Sequence, residues 1–332
     1  MSERPFVVEW VPAQVDGRDA FRLMVVLAAP GCAWHRKSGG CTVCAFPGSQ
    51  GTGAPVSLGD FEAQLGDALA RVPSDYTGPW QLDLFVSGSF FNPDEVPFEA
   101  QESLLRRAAR QPRMRRVVVE TRPEYATAEA LAKARAAVLA SSTPPALEIG
   151  IGLESADAEI RERRINKGFT WEQYVEAARQ VAGVGASLLT YVLLKPIDTS
   201  EADAVEDSVR SGERVFELGA SLGLPMRVAL EPCFVAPGTP LAKAFDEGRF
   251  HPPWLWSAVE VVRRLARLGP VQVGLSDEGL NPARAAHNCA RCTAEVRRAL
   301  AAFNATQRVE VFDGLECACR ESWRQELAAK AG

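Results

Sequence analysis

Only three of the 332 residues are histidine and four are methionine, and no stretch reaches the roughly 18 consecutive apolar residues that a membrane-crossing helix needs. No membrane role is expected. The opening Met1-Ser2-Glu3-Arg4-Pro5 lacks the basic region and apolar stretch of a secretory signal, so the expected compartment is the cytoplasm. Positive charge is in deficit: 37 Lys and Arg against 42 Asp and Glu leave a net charge of −5, which disfavours a chain that grips a polyanion by itself. No internal repeat or low-complexity linker interrupts the chain, and a composition of 47% hydrophobic and 24% charged residues excludes disordered and collagen-like classes. Eight cysteines are too thinly spread for a disulfide scaffold. In a reducing compartment, clustered thiols read first as metal ligands or catalytic groups.

What the sequence does contain has a rhythm. Apolar runs at Phe21–Ala29, Trp80–Val86, Arg116–Thr121, Ala146–Leu153, Ser187–Leu194 and Met226–Pro232 read as buried strands. Amphipathic stretches alternate with them at Asp60–Ala70, Ala126–Leu139, Trp171–Val184 and Glu201–Leu222. Two of these open on capping signals, Thr170 with Gln173 and Ser200 with Asp203. Strand then helix, six times over, implies parallel βα units, because parallel strands need a crossover connection. Such units suit either an open partial barrel or a doubly wound sheet. After about residue 236 the pattern turns mainly helical, at Trp254–Leu268, Ala294–Phe303 and Arg320–Lys330, with one strand at Val271–Leu275. The expected organisation is a barrel unit over residues 1–235 and a cysteine-bearing extension over 236–332.

The cysteines fall into two clusters and a singleton. Cys32, Cys41 and Cys44 follow the first of these strands in a glycine-rich loop, on the side where βα proteins carry their chemistry. Three thiolates suit a soft metal: zinc with His35 as fourth ligand, or a cubic iron–sulfur cluster with one iron left open. This loop in a βα-repeat chain resembles the radical S-adenosylmethionine (SAM) superfamily. The eight-residue first gap is similar to the branch holding the elongator catalytic subunit and the radical-SAM subunit of archaeosine synthase. Further matching segments are Glu148-Ile-Gly-Ile-Gly-Leu-Glu154-Ser, Ile165-Asn-Lys-Gly168, Tyr191-Val-Leu-Leu-Lys-Pro196, Leu230-Glu-Pro232 and the tail cysteines, over about residues 20–325. The resemblance implies a partial (β/α)6 barrel of the TIM type, a 4Fe-4S cluster on Cys32, Cys41 and Cys44, and SAM on the open iron. It implies an external electron donor of flavodoxin or ferredoxin type as well. The chemistry that follows is hydrogen abstraction by a 5′-deoxyadenosyl radical.

By the same resemblance, Ser87-Gly88-Ser89 takes the place of the segment that meets the SAM amino group, and Gly88 lacks a Cβ to obstruct it. Glu120 and Glu154 end strands and face the expected cavity, suited to ribose hydroxyls or an ammonium. Of Arg161, Arg163 and Arg164, one is expected to pair with the SAM carboxylate, Arg164 being the choice, and the others to be solvated. Lys195, Glu231 and Cys233 end later strands and are the catalytic candidates. The basic run Arg106, Arg107, Arg110, Arg113, Arg115 and Arg116 precedes a strand and reads as a solvated face at the barrel's bottom. Trp34, Phe46 and Trp171 read as packing residues before they read as stacking platforms.

Cys289-Ala-Arg-Cys292 and Cys317-Ala-Cys319 form a second set of four thiolates, which either zinc or a second 4Fe-4S cluster would fill. His287 beside them reads as exposed. The leading expectation is a radical enzyme acting on a small, nucleoside-like substrate, with sulfur insertion from an auxiliary cluster as one form. The alternatives are a radical lyase on a modified tRNA base, with tRNA bound through a partner subunit, and a non-catalytic zinc-stapled scaffold.

Overall fold

The computed structural model describes residues 3–44, 51–275 and 281–329. It opens on a hairpin, β1 (Val7–Val15) and β2 (Arg18–Leu27), turning at Asp16-Gly17, where both residues have positive φ (53° and 71°). Asp-Gly is the pair a two-residue hairpin loop demands, since both central residues must tolerate the left-handed region. Six strands then pair in parallel: β3 (Trp80–Val86), β4 (Met114–Glu120), β5 (Ala146–Glu154), β6 (Ser187–Leu194), β7 (Met226–Pro232) and β8 (Val271–Val273). Spatial order equals chain order from β1 to β8. The result is a curled half-barrel of α/β type, as expected, with β1 added in front and β8 joined at the far edge.

The helices are α1 (Ala33–Ser38), α2 (Leu58–Leu69), α3 (Phe98–Ala109), α4 (Ala128–Leu139), α5 (Trp171–Gly183), α6 (Glu201–Leu222), α7 (Pro240–Asp246), α8 (Leu255–Leu265), α9 (Thr293–Thr306) and α10 (Cys319–Ala328). Ser57 and Thr170 start α2 and α5 with reciprocal capping boxes, and Ser200 caps α6 through the Asp203 N–H. Each such cap satisfies donors the first turn cannot pair internally. One apolar core runs through the whole, from Leu23, Leu82 and Ile149 in the strands to Trp256, Leu300, Phe303 and Trp323 in the last helices. Among the described residues no helix is long and apolar enough to cross a membrane.

An open sheet needs its edge covered. Helix α9 packs against both β8 and β1, the two ends of the sheet. It finishes the β8 edge with two amide side chains. Asn304 accepts from the Val273 N–H (2.8 Å) and donates to its carbonyl (2.8 Å). Gln307 does the same for Val271 (3.1 and 2.8 Å).

The lower end of the lumen is closed by charge. Arg227 grips the buried Glu148 carboxylate (2.5 Å) and Gln272 (3.0 Å), while Arg22 pairs with the buried Asp83 (3.4 Å). Arg116 belongs to this plug, paired with Asp16 (2.9 Å) and near Glu148 (4.0 Å), so it departs from the solvated face expected of its run. Arg106 lies in the run as expected, on Glu102 (2.7 Å), and Arg107 and Arg113 hold backbone carbonyls of neighbouring segments. With the bottom plugged, the lumen opens at the C-terminal ends of the strands.

Candidate active site

The cysteine loop leaves β2 at that open end. Cys32 sits at the N-terminus of α1, and Gly39 and Gly40, at φ of 81° and 83°, end the helix and return the chain to Cys41. The loop is pinned from three sides. Ala33 N–H donates to Glu95 (2.8 Å); Trp34 donates to the Asn166 carbonyl (2.8 Å), and Asn166 donates back to the Gly40 carbonyl (2.7 Å). Thr42 meets the carbonyls of Ile165 (2.9 Å) and Arg164 (2.8 Å) and accepts from Leu241 (3.1 Å). The Ile165–Gly168 segment follows a π-helical turn over Glu159–Arg164, and its Gly168 at φ 75° lies against the Trp34 indole, where a Cβ would collide.

Glu95 is a buried carboxylate that strand-end reasoning does not reach. One oxygen accepts from Ala33 and from the Asn92 amide (2.9 Å), and the other accepts from Ser89 N–H (2.6 Å). It fills the space that a Cβ at Gly88 would need and so clips the cysteine loop to Ser87-Gly88-Ser89. Gly88 thus makes room for Glu95. The Ser89 hydroxyl accepts from the Arg122 N–H (3.1 Å), and Ser87 is buried beside it.

Arg122 is the second residue outside the strand-end reading, although it lies two positions beyond Glu120. Its guanidinium stands 5.1 Å from the Trp34 ring and 5.4 Å from Phe169, and it donates to the Lys167 carbonyl (2.9 Å) and to Glu124 (2.5 Å). Its Nη2 is buried and has no hydrogen-bond partner among the described residues. A buried donor left in that state is costly unless a ligand completes it.

Beside it, Lys167 pairs with Glu154 (2.6 Å). Glu154 reaches this position because the β5–β6 register slips between Gly152 and Glu154, putting Glu154 at φ 66°. A bulge of this kind re-aims a side chain, and the strained conformation costs about 1–3 kcal/mol. The Glu154–Lys167 pair occupies the space that a Cβ at Gly152 would need, so a side chain there would displace it. Cys41 lies in the same field: burial pushes its thiol up, opposed by the positive charges of Lys167 and Arg122. The donor set fits the expected cluster and cofactor, with three thiols on a pinned loop and an unpartnered guanidinium nitrogen among charges that act on Cys41.

Deeper in the lumen, Tyr191 donates to Glu120, whose carboxyl is pushed up to about 7 mainly by burial. Glu231 has no hydrogen bond or ion pair among the described residues, and burial together with the Glu154 charge pushes it up to about 8. Cys233 is buried in a small apolar cluster with Ile197, Val235 and Phe250, against which Val43 of the cysteine loop packs, and burial keeps its thiol protonated. Lys195, at φ 63°, is ion-paired with the buried Glu201 (2.7 Å), so its amine is held against α6.

The three arginines after β5 separate. Arg161 is wholly buried, donating to the carbonyls of Ser155 (3.1 Å) and Phe169 (3.0 Å), which overturns its reading as solvated. Arg163 is exposed beside Glu159, and Arg164 donates to the Asp198 carbonyl (2.6 Å). Trp171 faces Arg214 at 4.0 Å on the outer helices, and Phe46 lies outside the described residues.

The four tail cysteines form a compact group with all Sγ atoms within 4.8 Å of one another. His287 bonds through Nδ1 to the Ala285 carbonyl (2.8 Å) and is half-buried, not exposed.

No family model matches the chain. It is 33% identical to archaeosine synthase subunit beta of Methanosarcina acetivorans over 94% of this chain and 87% of that protein. It is 31% identical to archaeosine synthase subunit beta of Thermococcus kodakarensis over 93% and 92%. Among solved structures, the archaeal Methanocaldococcus infernus Elp3 with an N-terminal deletion superposes with a TM-score of 0.52 and 16% identity, covering 78% of this chain and 59% of that one. This last likeness concerns the fold.

Proposed function

The chain belongs to the archaeosine synthase subunit beta family and is a radical SAM enzyme, and from that premise we propose that it is the radical-forming subunit of a two-subunit nucleoside-modifying synthase. In this reading Cys32, Cys41 and Cys44 would hold a 4Fe-4S cluster, and SAM would bind beside it on the residues named below. When bound and reduced by an external flavodoxin- or ferredoxin-type donor, the pair supplies a 5′-deoxyadenosyl radical for hydrogen abstraction.

The chain's own residues do the rest. Arg122 binds the SAM carboxylate through its unpartnered Nη2, replacing Arg164 in that role. Glu154, held by Lys167, takes an ammonium or ribose hydroxyls, and Ser87-Gly88-Ser89 supplies the floor clipped by Glu95. Burial pushes the Glu120 carboxyl up to about 7 and the Glu231 carboxyl up to about 8, so near neutrality both exchange protons readily and the protonated forms can donate hydrogen bonds to a heterocycle. Lys195 is a positioning residue acting through Glu201, and Cys233 lines the wall as a neutral thiol. The charged plug at the lower end keeps water out of the lumen from below.

The observation that carries the reading is the orphan Nη2 of Arg122, a buried donor among the charges that act on Cys41. The net charge of −5 favours either a free nucleoside or a partner subunit that supplies the tRNA contacts. Anaerobic reconstitution should load iron on the wild-type chain, and SAM should alter the EPR signal of the reduced cluster. The Cys41→Ala chain should lack both. Unchanged iron in Cys41→Ala contradicts the assignment. Salt-titrated tRNA binding separates the substrates: salt-sensitive affinity of the isolated chain counts against the free nucleoside and against reliance on a partner.

A further inference from the structure

The tail cysteines carry an inference of their own, because their mutual distances discriminate between metals. Cys289 lies 3.7 Å from Cys292 and 3.4 Å from Cys317, and Cys292 lies 3.5 Å from Cys319, sulfur to sulfur. A tetrahedral Zn²⁺ with zinc–sulfur bonds of about 2.3 Å sets its four thiolates at edges of about 3.8 Å. A cubic cluster binds each thiolate to a different iron, pointing outward from a separate corner, and therefore needs its four sulfurs much further apart. The observed edges match one shared metal ion.

The surroundings fit a closed anionic site. Four thiolates around a dication leave a net charge of about −2. Trp256 Nε1 lies 3.5 Å from Cys319 Sγ as donor, an outer contact of the kind that orients and steadies a metal-bound sulfur. Arg320, next in the chain, lies 5.3 Å from the Trp256 ring, and its buried Nε has no hydrogen-bond partner among the described residues.

We propose that Cys289, Cys292, Cys317 and Cys319 form a redox-inert tetrahedral zinc site that fixes the last wall of the half-barrel. Cys292 immediately precedes α9, the helix whose far end closes the β8 edge through Asn304 and Gln307. Cys319 opens α10, whose Trp323 donates to Ser257 (2.8 Å); Ser257 donates to Glu201 (2.5 Å), and Glu201 pairs with Lys195 at the mouth of the lumen (2.7 Å). The metal thus ties down two helices at once. One seals the sheet edge, and the other ends a buried relay to the active face. A zinc site holds no sulfide to surrender, so sulfur insertion from this site is ruled out by the same proposal.

The test separates this site from the radical one. A Cys32→Ala, Cys41→Ala, Cys44→Ala chain, isolated and then reconstituted anaerobically with iron and sulfide, should be colourless and retain about one zinc per chain by elemental analysis. Replacement by Co²⁺ should give the visible bands of a tetrahedral thiolate site. Stripping the zinc with a chelator should speed amide exchange at Val271 and Val273 by about tenfold or more while Val117–Val119 of β4 stay protected. About four irons per chain in the triple variant would overturn the proposal, as would a folded chain that binds neither metal. Unchanged exchange in β8 would overturn the wall role. Failure of the radical assignment would show instead as absent SAM-dependent signals with the zinc intact.

Discussion

Glu95 provides the sharpest test of how the cysteine loop is held. Its two oxygens are committed on opposite sides, one to Ala33 N–H and the Asn92 amide, the other to Ser89 N–H. Glu95→Gln keeps size and shape but can present an oxygen to one side only. With its oxygen toward Ala33 and Asn92, its NH₂ faces the Ser89 N–H, donor against donor. Losing a charge-assisted bond and leaving one buried donor unsatisfied should cost about 2–4 kcal/mol. Glu95→Ala, which orphans all three donors, should cost more. Urea unfolding of the metal-free chain reads this cost, and iron content after reconstitution reads its consequence, since a loosened loop binds the cluster less well. A Glu95→Gln chain within about 0.5 kcal/mol of wild type with full iron loading would refute the clip.

Arg122→Lys retains charge but loses the planar fork, and SAM should bind about 10- to 100-fold more weakly by calorimetry with iron content unchanged; equal affinity would remove Arg122 from the SAM site. Glu231, with an ordinary value of 4.5 and a folded value of about 8, binds its proton more tightly in the folded chain. Folding stability is therefore lost as pH rises from about 4.5 through about 8, so Glu231→Gln should raise Tm at alkaline pH and leave it unchanged at pH below about 4. Lys195→Met leaves the buried Glu201 uncompensated and should destabilise by about 3–5 kcal/mol, with recovery in the Lys195→Met, Glu201→Gln pair. Asn304→Leu exposes the β8 edge, with a loss of about 1–3 kcal/mol and a rise in concentration-dependent association by light scattering.

Elements with strong periodicity are legible in the sequence. Seven strands, β2 to β8, and the capped helices α5 and α6 follow from apolar runs and hydroxyl caps, and the gathering of the four tail cysteines follows from their spacing. Strand β1 escapes an apolar-run reading because most of its residues are only half-buried; the Asp16-Gly17 pair, which an apolar-run reading does not use, is the signal that could have found it. In the site, acids that end apolar strands are visible, and the rule finds Glu120, Glu154 and Glu231. It cannot find Glu95, whose role depends on a loop packing back on a distant glycine, or the bulge that turns Glu154 into the site. The burial of Arg161 is likewise invisible, because surface and buried arginines look alike until carbonyls of other segments gather around one of them.

The pinned loop at Cys32, Cys41 and Cys44 is proposed to carry the radical chemistry. Its most direct test is product analysis after the anaerobically reconstituted chain is mixed with a strong reductant and SAM. The wild type should give 5′-deoxyadenosine and methionine in equal amounts and the Cys41→Ala chain none. No 5′-deoxyadenosine from an iron-loaded wild-type chain, or the same amount from Cys41→Ala, would contradict it.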